Sequence, residues 1–258
     1  MKISNNELEK VCHWFRANKL QLNSSKTKFM LFQRGKPINQ NVELLIDQQA
    51  VQKVESVNFL GLVIDDHLTW DQHIQHIATK ISKNIGIMSK LRSVLSLKTL
   101  RVFYNTMVLP FYDYCNIIWG RATSKNLRKL NILQKRAVRL CTGARYRDHT
   151  RLLFQQLNVL PLSKLIDFKT GTFMYKFKNS SLPEIFSNFF TMNNQIHLQN
   201  TRNRFLFRSP LFRSALAQRQ SMQFNGVKVW NNLPFSITSS NSIMQFKNKF
   251  KSFLSKAV

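Results

Sequence analysis

Glycine and proline are scarce, with 7 and 6 in 258 residues. So few turn-makers exclude a fold of many tight hairpins and favour long regular elements. Acidic side chains are scarce too: 12 Asp and Glu face 39 Lys and Arg, a formal net charge of +27. A chain this unbalanced cannot neutralise itself with internal ion pairs. The three cysteines, Cys12, Cys115 and Cys141, lie far apart and form no CxxC pair. This excludes a disulfide framework and the usual zinc-ligand spacings, and leaves free thiols in a reducing compartment. No apolar run approaches the roughly 18 residues of a membrane span. Residues 1–20 are amphipathic and carry Glu7 and Glu9, which argues against a secretory signal. There is no G-x-S-x-G, P-loop or G-x-G-x-x-G, so no complete hydrolase, kinase or dinucleotide site is legible. No internal repeat appears.

What is present is a packable chain, 43% hydrophobic with 21 Phe. Its charge is unevenly spread. Residues 1–70 hold 9 basic and 7 acidic side chains, 71–160 hold 16 and 3, and 161–258 hold 14 and 2. Nearly all the excess lies beyond residue 70. A polyanion is the natural partner for such a surface, and nucleic acid is the default polyanion.

Along the chain, "NELEKVCHWFRANK" (5–18) predicts a helix capped by Asn5, with Leu8, Val11, Cys12 and Phe15 on one stripe. A strand is predicted near 27–33, a loop at "RGKPINQ", a small hairpin turning near 47–49, and another strand in "SVNFLGLVID". These make an antiparallel β unit of three or four strands over residues 20–66. From residue 71 the period turns helical. Thr69 and Gln72 suggest a capping box. Ile74, Ile77, Ile81, Ile85, Met88 and Leu91 follow at 3- and 4-residue spacing. A second helix, capped by Ser96, is expected to bury Leu100, Phe103, Met107, Phe111, Tyr114 and Ile118, to kink at Pro110 and to end at Gly120. A third, capped by Ser124 and stopped by Gly143, carries Leu127, Leu130, Leu133, Ala137 and Leu140 on one side. Helices are also predicted from Thr150 to Leu157, over 162–178, and at the C-terminus. There Ile243, Phe246, Phe250 and Leu254 face inward. "LPEIFSNFF" predicts a short helix, and "GVKVWNNLP" a compact turn around Trp230. The fold class is α+β, mainly α: a small antiparallel β unit near the N-terminus followed by a helical bundle.

Three groups of residues could carry chemistry. Asp65 and Asp66 end an apolar run, as metal-binding carboxylates of polymerases do. Adjacent strand residues point to opposite faces, however, and no partner carboxylate stands out among Glu43, Asp47 and Glu55. These aspartates are expected to lead into the following helix, where negative charge suits the macrodipole. His73 and His76 could hold a metal but more simply face solvent or a neighbouring helix. The third helix carries Lys125, Arg128, Lys129, Lys135, Arg136 and Arg139, with no acidic residue between Asp113 and Asp148. Arg145, Arg147 and Arg151 extend this patch. Positive charge without interleaved acids suits phosphate contact. "TRNRFLFRSPLFRSALAQRQ" (201–220) interleaves Arg and Phe, which fits single-strand stacking and equally a strand with Phe inward.

Taken in order, "CHWFRANKLQLNSSKTKFMLF", "NFLGLVIDDHLTWDQHI", "FYNTMVLPFYDYCNIIWG", "LQKRAVRLCTG" and "NGVKVWNNLP…FKNKFKSFL" resemble the C-terminal part of non-LTR retrotransposon reverse transcriptases of the jockey/LINE type. The resemblance implies the end of a palm with a primer-grip hairpin over 1–70, a thumb-like domain over 71–178 and a C-terminal extension over 179–258. It implies Phe59, Leu60 and Gly61 as primer-grip-like residues and Lys26 as a nucleotide-phosphate candidate. The family's Tyr/Phe-x-Asp-Asp turn, earlier metal-binding Asp, fingers and endonuclease find no counterpart. The resemblance therefore implies a fragment of an RNA-directed DNA polymerase that binds template–primer nucleic acid without polymerising alone. It assigns no catalytic or metal residue and no cofactor to this chain, while the full-length family enzyme uses Mg2+. The implied partners are RNA or an RNA–DNA duplex and the palm and fingers of a reverse transcriptase, without a membrane, in the cytoplasm or nucleus. The alternatives are a non-catalytic RNA- or DNA-binding module, or a decayed element with no selected role.

Overall fold

Leu8, Cys12 and Phe15 lie on the inner side of the first helix, α1 (Lys2–Ala17), and Cys12 is buried. The computed structural model describes residues 2–23, 26–32, 43–47, 49–196 and 203–256. The chain divides into two units, Met1–Gln75 and His76–Val258, each described by itself below.

In the first unit, α1 begins three residues before the expected cap. Asn5 is therefore inside the helix, and its side-chain oxygen accepts from the Leu45 N–H at 3.3 Å. Val11, expected inward, is exposed. Cys12, Ile46 and Val51 form a small core against which Leu22, Phe29 and Leu44 pack. The β unit is more fragmentary than expected. Among the described residues it consists of three two-stranded ladders rather than one antiparallel sheet. β1 (Lys28–Phe29) runs parallel to β4 (Gln52–Lys53). β2 (Leu45–Ile46) and β3 (Gln49–Ala50) form the expected hairpin about Asp47. β5 (Ser56–Phe59) and β6 (Leu62–Asp65) form a second hairpin in the stretch read as one strand. Its two-residue loop is Leu60–Gly61, with φ of 47° and 81°. Two consecutive positive φ values match the right-handed twist of the strands, and glycine takes such a φ without strain. The expected "RGKPINQ" loop lies outside the described residues.

α2 (Asp71–Leu91) follows, and the unit boundary falls within its first turns. Its predicted stripe is buried from Ile74 through Met88. The expected capping box is replaced: the Thr69 hydroxyl accepts from the Asp71 N–H at 3.3 Å.

In the second unit, Ser96 caps α3 (Leu97–Phe103) as expected, accepting from the Thr99 N–H. The long kinked helix predicted after it is four pieces. A π-turn, Tyr104–Val108, precedes α4 (Leu109–Asp113). Then Cys115 takes a left-handed φ of 49° before α5 (Asn116–Trp119). Pro110 lacks an N–H, and the wider π-turn accommodates the break directly before it. Beyond Leu100 the inward stripe is not the predicted one. Tyr104, Val108, Tyr112, Asn116 and Trp119 are fully buried, whereas Met107, Tyr114 and Ile118 are exposed. Most buried polar tips are satisfied: the Tyr112 hydroxyl donates to Leu130 O at 3.0 Å and Trp119 Nε1 to Tyr114 O at 2.8 Å, whereas Asn116 Oδ1 has no hydrogen-bond partner.

α6 (Ser124–Thr142) is capped by Thr123 rather than Ser124 and ends at Gly143, φ 71°. α7 (Arg151–Gln156) and α8 (Leu162–Lys178) lie where predicted. The "LPEIFSNFF" helix is a single 3-10 turn, Glu184–Phe186. The compact turn predicted around Trp230 is instead a helix, α10 (Met222–Asn231), preceded by α9 (Ala215–Gln220). The Ser221 hydroxyl caps α10, which places Val227 and Trp230 three apart on its buried face. After α11 (Phe235–Thr238), α12 (Ile243–Lys256) buries Phe246, Phe250 and Leu254. α10 and α12 both pack on α8. Their rings form a chain of contacts: Tyr175 stacks on Phe246 at 4.6 Å, Phe246 on Trp230 at 5.8 Å, and Trp230 meets Phe207 edge-on at 6.2 Å.

Candidate nucleic-acid interface

At 3.6 residues per turn, Lys125, Arg128, Lys129, Ile132, Lys135, Arg136 and Arg139 fall within about a third of the circumference of α6. The opposite side carries Leu130, Gln134, Ala137, Val138 and Cys141, all buried. The core therefore orients the basic stripe: what the apolar face buries, the cations must leave exposed. Lys125, Arg128, Lys129, Lys135 and Arg136 are exposed, and Ile132, in the middle of the stripe, is 57% exposed. With a rise of about 1.5 Å per residue, the stripe from 125 to 139 is roughly 21 Å long. Arg128, Ile132 and Lys135 also line a shallow groove whose far wall is Pro161 and Ser163.

Acidic side chains are few in this unit. Residues 76–258 hold 30 of the 39 basic residues and only 4 of the 12 acidic ones. Two of those acids are engaged away from α6, Asp113 with Lys169 at 2.6 Å and Asp167 with Arg121 at 3.0 Å. Among the described residues, no ion pair takes up Lys125, Arg128, Lys135 or Arg136.

Arg139 differs from its neighbours. It is only partly exposed, and its Nε donates to Asp148 O at 2.9 Å. The Asp148 carboxylate accepts from the Arg145 N–H at 2.7 Å, and the Asp148 N–H donates to Arg145 O at 3.2 Å. Arg139 thus fastens a closed turn, Arg145–Asp148, to the end of the stripe. Arg145, Arg147 and Arg151 are exposed there.

The remaining sequence candidates lie in the first unit. Phe59 and Leu60 form the hairpin tip with Gly61 and are 58% and 75% exposed. Lys26 is exposed, and its backbone N–H is held by the Asn23 side chain at 3.0 Å. Asp65 is buried. One carboxylate oxygen accepts from the Thr69 N–H at 2.8 Å and the other from the Trp70 N–H at 2.9 Å. It ties the end of β6 to the start of α2, across a loop in which Leu68 and Trp70 have positive φ. His73 is buried and its Nδ1 accepts from the Val63 N–H at 3.3 Å, while His76 is exposed. No group of three or more His, Cys, Asp or Glu gathers among the described residues. With Asp65 committed to two backbone amides, the described residues here do not fit the divalent cation that the resemblance implies for a full-length enzyme.

The structure also brings together residues that no sequence pattern paired. Arg101 donates to Leu157 O at 3.0 Å. Burial, together with the nearby Arg101 cation, pulls the Lys251 ammonium below its ordinary value. Among its described residues the Arg/Phe tract is not the strand with Phe inward that is one of its two readings. Phe207 is buried among aromatic rings, Phe205 is 67% exposed under the Arg204 guanidinium, and residues 201–202 lie outside the described span.

Three relatives are informative. The chain is 28% identical over 153 residues to the probable RNA-directed DNA polymerase from transposon X-element of Drosophila melanogaster, covering 57% of this chain and 16% of that protein. It is 26% identical over 143 residues to the corresponding protein from transposon BS, covering 53% and 15%. It is 27% identical over 117 residues to the RNA-directed DNA polymerase from mobile element jockey, covering 44% and 13%. The resemblance to non-LTR retrotransposon polymerases read from the sequence thus holds over about half the chain. The match spans about one-seventh of the length of these relatives. No family model and no solved structure matches. Among the described residues no helix is long and apolar enough to cross a membrane.

Proposed function

From a similarity to RNA-directed DNA polymerases of mobile elements, we propose that this chain supplies a template–primer grip. In this reading the helices beyond Asp71 act as the thumb, holding RNA or an RNA–DNA duplex by its phosphates. The hairpin tip Phe59–Leu60–Gly61 takes the primer-grip position. Lys26 approaches nucleotide phosphate. The chemistry, with its Mg2+, belongs to a palm and fingers that act with this chain, which does not polymerise alone. The observation that carries the proposal is the exposed, acid-free basic stripe on α6, held outward by the buried face behind it. The stripe offers charge but little hydrogen-bonding detail, so it contacts the backbone and does not read bases.

The test is binding of a labelled RNA–DNA duplex at increasing salt. Five phosphate contacts give a log–log slope near −4.5, roughly a 500-fold loss of affinity between 50 and 200 mM salt. Replacing Arg128, Lys135 and Arg136 together by Glu should abolish binding while the helical signal persists. Affinity that stays flat with salt, or survives this reversal, would remove the proposal.

A further inference from the structure

Tyr146 stands at the tip of the Arg145–Asp148 turn and is 79% exposed. Exposure alone says little, since Phe235 and Leu211 are more exposed still. Three observations make this one more than a stray surface ring. Its neighbours Arg145 and Arg147 are both exposed cations. The one acid in the turn, Asp148, is exposed and spends one carboxylate oxygen on the Arg145 N–H at 2.7 Å, which leaves the turn with two cations to one anion. The turn is closed by the Asp148 N–H on Arg145 O at 3.2 Å and anchored by Arg139 Nε on Asp148 O at 2.9 Å, so the ring is presented from a fixed platform. That anchor also places the ring just past the end of the basic stripe of α6.

We infer that Tyr146 is a stacking platform for an unpaired nucleobase at the junction where a duplex held along α6 opens into single strand. The inference rests on the proposed function. Within a duplex both faces of every base are covered by neighbours, so a protein ring finds a bare π-face only at an end or on a single strand. Stacking of that kind is tolerant of sequence, because every base has a face to offer. Arg145 and Arg147 would hold the phosphates on either side of the stacked base. A ring meant for packing against protein would be expected among apolar neighbours, not between two cations.

The test compares two labelled probes on the full chain: a blunt duplex, and the same duplex with an overhang of about four nucleotides. RNA and DNA overhangs form separate arms. Tyr146→Ala should weaken binding of the overhang probes by about tenfold and leave the blunt duplex within twofold. Tyr146→Phe should retain overhang binding. A 2-aminopurine beside the junction should lose fluorescence on binding the parent protein and not on binding Tyr146→Ala. A loss in both arms supports recognition of the base face; a loss in the RNA arm alone supports stacking joined to ribose recognition. Equal loss on blunt and overhang probes, or no loss on either, overturns the inference while salt-dependent duplex binding leaves the grip intact. Failure of the parent protein to bind any probe in a salt-dependent way overturns both.

Discussion

Gln134 caps Leu162. Its Oε1 accepts the Leu162 N–H at 2.8 Å, and its Nε2 donates to Leu160 O at 3.0 Å, so one buried amide satisfies both sides of the corner at Pro161. The first N–H groups of a helix have no partner within it, and Pro161 has no side-chain acceptor to offer α8. Gln134, fully buried on α6, supplies the cap from another helix. Its Nε2 also lies 3.3 Å from the Tyr104 hydroxyl. Gln134→Leu would keep the volume and strand two buried peptide groups, costing about 2–4 kcal/mol. Tyr104→Phe removes the weakest of the three contacts and should cost about 1 kcal/mol. Urea unfolding of both variants checks this. A Gln134→Leu protein no less stable than Tyr104→Phe would show that the corner does not depend on the amide.

The same logic separates the two aspartates. Asp65→Ala leaves the Thr69 and Trp70 N–H groups without their acceptor and should destabilise the first unit by about 1–3 kcal/mol. Asp66→Ala, at a partly exposed position, should stay within about 0.5 kcal/mol. Hydrogen exchange at Thr69 and Trp70 is the direct readout. Unchanged protection of both amides in Asp65→Ala would refute the anchoring role.

Three buried acids set an alkaline limit on the second unit, the Tyr112 phenol being raised by burial like the two that follow. Burial pushes the Cys141 thiol up from 9.0 to about 12, and pushes the Tyr104 phenol well above its ordinary 10.0. All three are acids with a raised folded-state pKa, so the unfolded chain ionises first. Their stabilising effect is complete below pH 9 and is lost as pH rises. For Cys141 the loss runs from about pH 9 to 12, at up to about 1.4 kcal/mol per pH unit. Cys141→Ala should flatten the first part of that decline. If its stability falls as steeply with pH as the parent's between pH 9 and 10, Cys141 is not the cause.

The legible parts of this fold are those where pattern and burial coincide. Ile74 to Met88 and the whole of α8 could be read from period alone, as could the stop at Gly143. The stretch from Phe103 to Ile118 could not. There two strongly apolar residues, Met107 and Ile118, face outward, while Tyr104 and Tyr112 go in, because amide and carbonyl partners on another helix meet their hydroxyls. Hydropathy ranks these residues by transfer cost and cannot see a partner from another helix. α10 was missed for a related reason: Gly226 and the Asn residues read as turn chemistry. The basic stripe was legible because like charges at helical spacing need no tertiary partner. Tyr146 was not, since an exposed ring and a buried one look alike in sequence.

Within the stripe, the cations should not be equivalent. Arg136→Gln removes an exposed charge and should lower the magnitude of the salt slope for duplex binding by about 0.9, with stability unchanged. Arg139→Gln also removes the Nε donor that holds Asp148 O, so it should loosen the Arg145–Asp148 turn and cost about 1 kcal/mol of stability. Salt titrations paired with thermal unfolding separate the two effects. Identical behaviour of the two variants would mean that the Arg139–Asp148 contact carries no weight.

Gly171 tests how α12 seats on α8. In an exposed helix, Gly→Ala is favourable by about 1 kcal/mol. Here an added Cβ would collide with the Phe250 ring, meeting its Cε1 directly and its Cζ at 3.0 Å. The ring is confined by its neighbours: Phe250 is fully buried, stacked on Phe168 at 5.8 Å and tilted against Phe246 at 5.4 Å. Overpacking of this kind costs about 1–3 kcal/mol, which exceeds the gain in helix propensity. Gly171→Ala should therefore destabilise the second unit. Phe250→Leu makes space at the same point, so the double variant should recover part of the loss. A double-mutant cycle yields a favourable coupling of about 0.5–3 kcal/mol if the two residues share the contact. Additive losses would show instead that α12 docks by its other rings and that the close approach at Gly171 does not govern it.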